Sequence, residues 1–220
     1  MGRCAATHPA LAAAVRPSSV ERELALFPLQ TVLFPDGLLS LKIFEARYLD
    51  LIATCLREGS HFGVVGLKRG SEVRRPDRPV EFESIGTRAL LLDVDSAQPG
   101  ILLARCRGGE RFTVQSSRQQ TDGLWLATVT PVEADPPMSP TPGLANAVRG
   151  LRDAIAALQA QGTDPFLVPH RFEDAGWVAN RWCELLPIPQ SARQKLMELP
   201  DPLARLEIVD DFLRRQGVLS

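Results

Sequence analysis

Ser191 and Lys195 have the spacing of a catalytic Ser–Lys dyad, because they stand four positions apart in a helical pattern. A dyad also needs a lysine shielded from water and an oxyanion hole, and the sequence shows no sign of either. Ser191 follows Pro189 and Gln190, a placement typical of a residue that caps a helix. The pattern therefore favours a helix start. A small ATP-independent hydrolase stays an alternative.

Two pairs of carboxylates have the two-residue spacing that places both side chains on one face of a strand. The pairs are Glu81 with Glu83 and Asp93 with Asp95. Their shared face makes general acid–base chemistry geometrically possible. The same alternation is typical of the solvated face of a sheet, which is the interpretation that we favour.

The sequence predicts neither a metal site nor a cofactor. A zinc site needs closely spaced ligands, but the four cysteines are far apart and form no C-x-x-C pair: Cys4, Cys55, Cys106 and Cys183. No phosphate-binding G-x-x-x-x-G-K-[ST] motif occurs, nor a G-x-S-x-G elbow for a nucleophile. We therefore expect no cofactor, no metal and no enzymatic activity.

Charge and cysteine usage narrow the class of partner and the compartment. The formal net charge of -1 argues against a nucleic-acid partner held by bulk electrostatics. Scattered cysteines fit a reducing compartment, and no apolar run approaches the roughly 20 residues of a membrane-spanning helix. We predict a cytoplasmic protein without membrane contact. Residues 1–22 lack the apolar stretch of a secretory signal and are expected to form a flexible tail.

Residues 23–133 have the pattern of a β-rich unit that contains one helix. Short apolar runs separated by Gly, Pro and Asp predict strands. These cover 24–27, 38–44, 61–67, 80–85, 87–94, 101–106, 111–115 and 124–132. A helix is predicted over 45–57, because its apolar residues share one face and Gly59 follows its last turn. A turn is predicted after the apolar residues 31–34. Pro35 presets φ in this turn, and Gly37 is expected to take the positive φ.

The pattern changes after a proline-rich segment. Four prolines within residues 134–143 preclude a helix and predict an extended linker. Residues 144–220 then have helical periodicity and predict a bundle. Its helices are expected over 144–158, 172–186, 191–199 and 202–213. The sequence therefore predicts the α+β class, with a β-rich barrel or sandwich followed by a helical bundle.

Two motifs in the first half resemble the amino-terminal substrate-binding domain of Lon proteases. Residues 27–37 (FPLQTVLFPDG) are similar to the opening of that family, and residues 41–48 (LKIFEARY) to its Ile-Phe-Glu-x-Arg-Tyr signature. Shorter matches follow in the same order, at 62–65 (FGVV), 85–87 (IGT) and 109–112 (GERF). The resemblance is strong in the first half and weaker after Pro136.

The resemblance implies a PUA-like pseudo-barrel followed by a helical bundle. In full-length Lon this domain precedes an ATPase and a Ser–Lys peptidase, whereas this chain ends at Ser220 without either, so we expect a stand-alone member. The motif residues form the candidate peptide-binding set: Phe34, Pro35, Phe44, Glu45, Arg47, Tyr48, Arg111 and Phe112. Each also has a structural interpretation. Phe44 and Tyr48 would pack between helix and sheet, and Glu45 with Arg47 would fix the helix start.

The function that this implies is a non-catalytic module that binds unfolded or flexible protein segments. A sheet edge or a groove between barrel and bundle would receive an extended peptide. A separate protease or chaperone is a further expected partner. An RNA-binding PUA-like module is the alternative, suggested by Arg69, Arg74, Arg75 and Arg78 in one loop. The sequence predicts no oligomeric state.

Overall fold

The computed structural model describes residues 23–72 and 79–219, without the side chain of Ala97. The predicted tail over residues 1–22 lies outside the described residues, as does most of the predicted loop between Arg69 and Pro79. No helix in the described ranges is long and apolar enough to cross a membrane.

In the residues that the structure describes, six strands form one sheet. They are β1 (Leu24–Leu29), β2 (Leu38–Ile43), β3 (Phe62–Arg69), β4 (Glu81–Gln98), β5 (Ile101–Gln119) and β6 (Trp125–Pro131). The strand order is β2-β5-β4-β3-β1-β6, and β6 also pairs with β5, which closes five of the strands into a ring. β1 and β3 are parallel, whereas the other pairs are antiparallel. The predicted β-rich barrel is confirmed.

The strand breaks predicted in β4 and β5 are wrong. The sequence predicted an interruption at Gly86 and a turn at Gly108 and Gly109, but β4 and β5 run through these positions. Glycine is needed at Gly86 and Gly108 because a backbone carbonyl of another segment lies very close to each. A Cβ on Gly86 would lie 2.4 Å from the Val64 carbonyl oxygen, and one on Gly108 would lie 2.0 Å from that of Phe34.

Pro28 lies inside β1, where the sequence predicted an interruption. It pairs in register with Val65 of β3, whereas β6 pairs with β1 only through Leu24, Ala25 and Leu26. At Pro28 the strand therefore has a neighbour on one side alone. A proline is tolerated there because the missing N–H is not needed by a second ladder.

Five α-helices and one short 3₁₀ turn complete the described part of the chain. They are α1 (Ala46–Glu58), the 3₁₀ turn (Pro142–Leu144), α2 (Ala145–Ala160), α3 (Ala175–Leu185), α4 (Gln190–Glu198) and α5 (Pro202–Arg215). Gly59 ends α1 with φ of 61°, as the sequence predicts. α3 begins later than expected because the Asp174 carboxylate accepts from the Gly176 and Trp177 amides. The prediction that Ser191 caps α4 is wrong, since the helix begins at Gln190.

The bundle core includes two residues from the barrel side of the chain. Val32 and Phe34 follow β1, yet both pack in the same apolar cluster as Leu151, Trp182 and Leu206 of the helices. The proline-rich segment is also attached to the bundle, because the Ala175 amide donates to the Met138 carbonyl at 2.8 Å. A division into residues 23–133, a linker over 134–143 and a bundle over 144–220 stays a prediction.

The described cysteines lie in the core as small apolar residues. Cys55, Cys106 and Cys183 are free and buried. Burial raises the pKa of the Cys106 and Cys183 thiols to about 12, so both stay protonated near neutral pH. These thiols are therefore poor nucleophiles.

Candidate functional site

A cleft of about 790 Å³ opens between the barrel and α3. This volume lies within the range of small-molecule pockets. Its walls come from the turn before β2, from β4 and β5, from the segment after β6, and from the start of α3. They include Asp36, Arg88, Leu90, Arg107, Arg171 and Trp177. Charged side chains of both signs line the cleft beside a few apolar ones.

The turn at one edge of the cleft is built by residues 34–37. The Gly37 amide donates to the Phe34 carbonyl at 2.9 Å, and the Asp36 amide donates to the Gly108 carbonyl at 2.8 Å. The positive φ of 59° falls on Asp36, so its predicted placement on Gly37 is wrong. Gly37 is needed for space, because a Cβ there would lie 2.3 Å from Glu184 Oε1 and 2.9 Å from the Phe34 oxygen.

Three arginines hold this turn against the bundle. Arg107 donates from Nε to Asp36 Oδ1 at 2.9 Å, and Arg171 donates to the other carboxylate oxygen. Arg181 of α3 is fully buried and donates to the backbone carbonyls of Asp36 at 2.5 Å and Pro35 at 2.9 Å. Arg181 therefore joins the turn before β2 to α3, while Arg107 of β5 and Arg171 of the segment before α3 hold the Asp36 carboxylate.

Glu184 of α3 also belongs to this charged cluster. Its Oε1 accepts from Arg181 Nη2 at 3.0 Å, and the carboxylate is mostly buried. Burial raises the pKa of Glu184 to about 7, against the lowering effect of Arg181 and Arg193 and with a further rise from Asp36. The carboxyl group therefore changes charge near neutral pH.

Glu184→Gln is expected to flatten part of the pH dependence of stability. The folded protein holds the Glu184 proton up to a pKa of about 7, whereas the ordinary pKa of a glutamate side chain is 4.5. Between these values the folded state binds more protons than the unfolded state, so the free energy of unfolding falls as pH rises. Urea unfolding at about pH 5 and about pH 8 measures the difference. The exposed Glu207→Gln should keep the wild-type slope, and an unchanged slope in Glu184→Gln would contradict the assignment.

A second buried network lies at the other end of the cleft. The Asp135 carboxylate accepts from Arg111 Nη2 at 2.5 Å and from Arg205 Nη1 at 2.6 Å. Arg205 also donates to Asn180 Oδ1 at 3.0 Å, and Arg111 donates to the Met197 carbonyl at 2.8 Å. Asp135 is therefore the shared anion between a barrel strand and helix α5.

A family model described as the ATP-dependent protease La (LON) substrate-binding domain matches residues 23–215. The chain belongs to the Lon substrate-binding domain family. A solved structure described as a Lon N-terminal domain protein from Xanthomonas campestris is similar at 31% identity and a TM-score of 0.66. The match covers 86% of this chain and 97% of that one.

A second Lon structure shares the fold. It is the N-terminal domain of a Mycobacterium avium complex Lon protease, with 18% identity and a TM-score of 0.58. The match again covers 86% of this chain and 97% of that one. Comparison with curated proteins found no match. The predicted α+β fold and the predicted family are confirmed.

Three of the Lon motif residues proposed for peptide binding lie in the core. Phe34, Tyr48 and Phe112 are at most 4% exposed, and the Tyr48 ring contacts that of Phe27 edge to face. In this conformation they support the fold and present almost no surface to a ligand. Of the eight residues, Pro35 and Arg111 line the cleft.

The helix-start motif of the Lon family is partly structural. Glu45 and Arg47 form the predicted ion pair at 2.8 Å, and Arg47 also donates to the Gly123 carbonyl at 2.7 Å. Phe44 does not pack between helix and sheet as predicted, because its side chain is 54% exposed. Whether these residues contact a ligand stays a prediction.

Sequence reasoning missed the cations that line the cleft of this Lon domain. Arg88, Arg107 and Arg171 come from distant parts of the chain, so no local spacing signals that they meet. Arg88 Nη1 lies 2.6 Å from His61 Nε2, which places one of the three histidines at the cleft wall. His170 instead contacts the Phe172 and Trp177 rings.

The residue pairs that the sequence offered for hydrolytic chemistry include side chains held in ion pairs. Lys195 is exposed and bonds Glu198 at 3.0 Å, which raises its pKa, whereas a dyad lysine needs a lowered pKa. Glu81 pairs with Arg69, and Glu83 pairs with Lys68 at 2.8 Å. Within residues 23–72 and 79–219, no group of three or more His, Cys, Asp or Glu side chains could hold a metal ion.

Proposed function

We propose that this member of the Lon substrate-binding family holds flexible or unfolded protein segments in the cleft and on the adjoining outer face of β4 and β5. It acts by binding alone and carries out no reaction. A separate protease or chaperone would use the held segment and stays a predicted partner.

The main support is a run of exposed leucines that leads out of the cleft. Leu90, Leu92 and Leu103 are between 43% and 49% exposed on the hairpin of β4 and β5, and Leu90 also lines the cleft. Single exposed leucines are ordinary, but several on one hairpin beside a cleft mark an interaction surface. Unfolded chains expose apolar side chains that such a surface can bind.

The cleft walls offer polar partners to a protein segment. Residues of β5 and of the neighbouring segment that follows β6 line the cleft, together with charged side chains of both signs. Arg107 and Arg171 are about half exposed, so their free donors can reach carbonyl or carboxylate oxygens.

Leu90→Ser with Leu92→Ser is expected to weaken binding of a reduced, unfolded casein-like chain by about tenfold or more, because apolar contact area is lost. Fluorescence anisotropy with labelled casein measures the dissociation constant. Ile208→Ser is the matched control, since Ile208 is 52% exposed on α5 and does not line the cleft. No binding by the wild type at about 100 μM would contradict the proposal.

No described observation favours the RNA-binding alternative. Of the four loop arginines that suggested it, Arg69 lies 3.4 Å from Glu81, and the other three are outside the described residues. Binding to RNA that weakens steeply with salt would be its signature.

A further inference from the structure

β2 has a free edge. In the described part of the chain it stands at the end of the strand order with β5 as its one partner, whereas β6 at the opposite end pairs with both β1 and β5. A free edge presents backbone N–H and C=O groups that can pair with an added strand.

The register shows which groups of β2 face this edge. β2 and β5 are antiparallel with a continuous register from Leu38 opposite Arg107 to Ile43 opposite Leu102. The Gly108 amide donates to the Gly37 carbonyl at 2.9 Å, which makes that pair a hydrogen-bonded one. Bonded pairs alternate along an antiparallel ladder. The backbone groups of Ser40 and Lys42 therefore point away from β5.

The outer face beside this edge carries two cations, Lys42 and Arg105. Ser40 and Lys42 are exposed, and Arg105 lies directly opposite Ser40 in β5. Neither Lys42 nor Arg105 forms an ion pair with any residue that the structure describes. Asp93 is the neighbour of Arg105 on the β4 side, away from the edge. An added strand would lie directly beside Lys42, and Arg105 lies one strand further in, behind the small Ser40.

The inner face of the same edge is apolar. Leu39 is half-buried, and Leu41 and Ile43 are buried in the same apolar cluster as Tyr48 and Ile52 of α1. Successive side chains of a strand alternate between faces, so an added strand would place every second residue beside these apolar groups.

We propose that the β2 edge binds an extended protein segment as an added strand, with acidic residues on the outer face toward Lys42 and Arg105 and apolar residues on the inner face. This inference rests on the proposed function and adds a second contact for the held segment, beyond the cleft and the outer face of β4 and β5. Main-chain hydrogen bonds supply affinity in such a complex, and the side chains supply selectivity. A segment with lysines on the outer face would place like charges side by side and is rejected.

The charge part is tested with two soluble peptides of about ten residues, in which either Glu or Lys alternates with Val and Thr. The wild type should bind the Glu peptide on the order of tenfold more tightly than the Lys peptide. Lys42→Glu should reduce or reverse this preference, whereas Lys195→Glu, an exposed lysine on α4, should keep it. Equal binding of both peptides to the wild type would overturn the proposal.

The strand part is tested on the peptide, so the folding of the protein is not disturbed. Two versions of the Glu peptide carry N-methyl groups on alternate amides, one set on each edge. Methylation of the edge that faces β2 should abolish binding, and methylation of the other edge should leave it nearly unchanged. Equal binding of the two versions would overturn strand addition, even if casein still binds and the proposed function stands. If the wild-type protein bound neither casein nor either peptide, the proposed function itself would be contradicted.

Discussion

Asp135→Ala is expected to lower the free energy of unfolding by about 3–5 kcal/mol. The carboxylate is the shared anion for Arg111 and Arg205, which are 4% and 1% exposed. Its removal leaves two buried guanidinium groups without a counter-charge, and burial already lowers the pKa of Arg111. Urea unfolding followed by circular dichroism measures the loss.

Glu133→Ala is the matched control for that substitution. Glu133 lies two residues away, and its side chain is exposed, although its backbone carbonyl accepts from Arg111 at 3.1 Å. A change within about 0.5 kcal/mol is expected there, because the backbone bond is kept. If Asp135→Ala were as mild as Glu133→Ala, the network would not join the barrel to the bundle energetically.

Gly108→Ala is expected to destabilise the protein by about 3 kcal/mol, at the upper end of ordinary overpacking. The added Cβ would lie 2.0 Å from the Phe34 carbonyl oxygen and 3.0 Å from the Phe34 carbonyl carbon. These atoms belong to the turn that is bonded to Gly108 and held by Arg181, so the backbone cannot move aside locally. Thermal unfolding measures the effect as a lowered Tm.

The adjacent Gly109→Ala provides the comparison. Its Cβ would meet Leu90 Cδ1 at 2.6 Å, which is the far end of an exposed and flexible side chain. Leu90 can rotate away, so we expect a loss of less than about 1 kcal/mol. Equal losses at the two glycines would show that the contact with Phe34 is not what requires Gly108.

Local signals in the sequence were sufficient for most of the fold. The helix predicted over residues 45–57 corresponds to α1. It could be predicted because its apolar face and the glycine that ends it, Gly59, are both visible in the local sequence. The breaks predicted at Gly86 and Gly108 were wrong for the opposite reason. Each glycine is required because a backbone carbonyl that is distant in sequence lies too close for a Cβ. A single sequence does not show which distant segments come this close.

The candidate site was less predictable than the fold. The motif residues drew the prediction toward Phe34 and Phe112, but an aromatic residue in a motif signals packing as readily as contact with a ligand. Arg107 and Arg171 meet at Asp36 only after the barrel and the bundle have packed together. The exposed leucines of β4 and β5 were predicted as strand residues, and nothing local showed that they remain uncovered.

The charges beside β2 have a consequence for the protein's own self-association. If two copies joined through this edge around a two-fold axis, Lys42 and Arg105 of one would approach the same residues of the other. Like charges on adjoining strands repel, and lysine on an edge strand is a common protection against such pairing. The charges that would attract an acidic segment therefore also oppose the edge-to-edge pairing of two copies through β2.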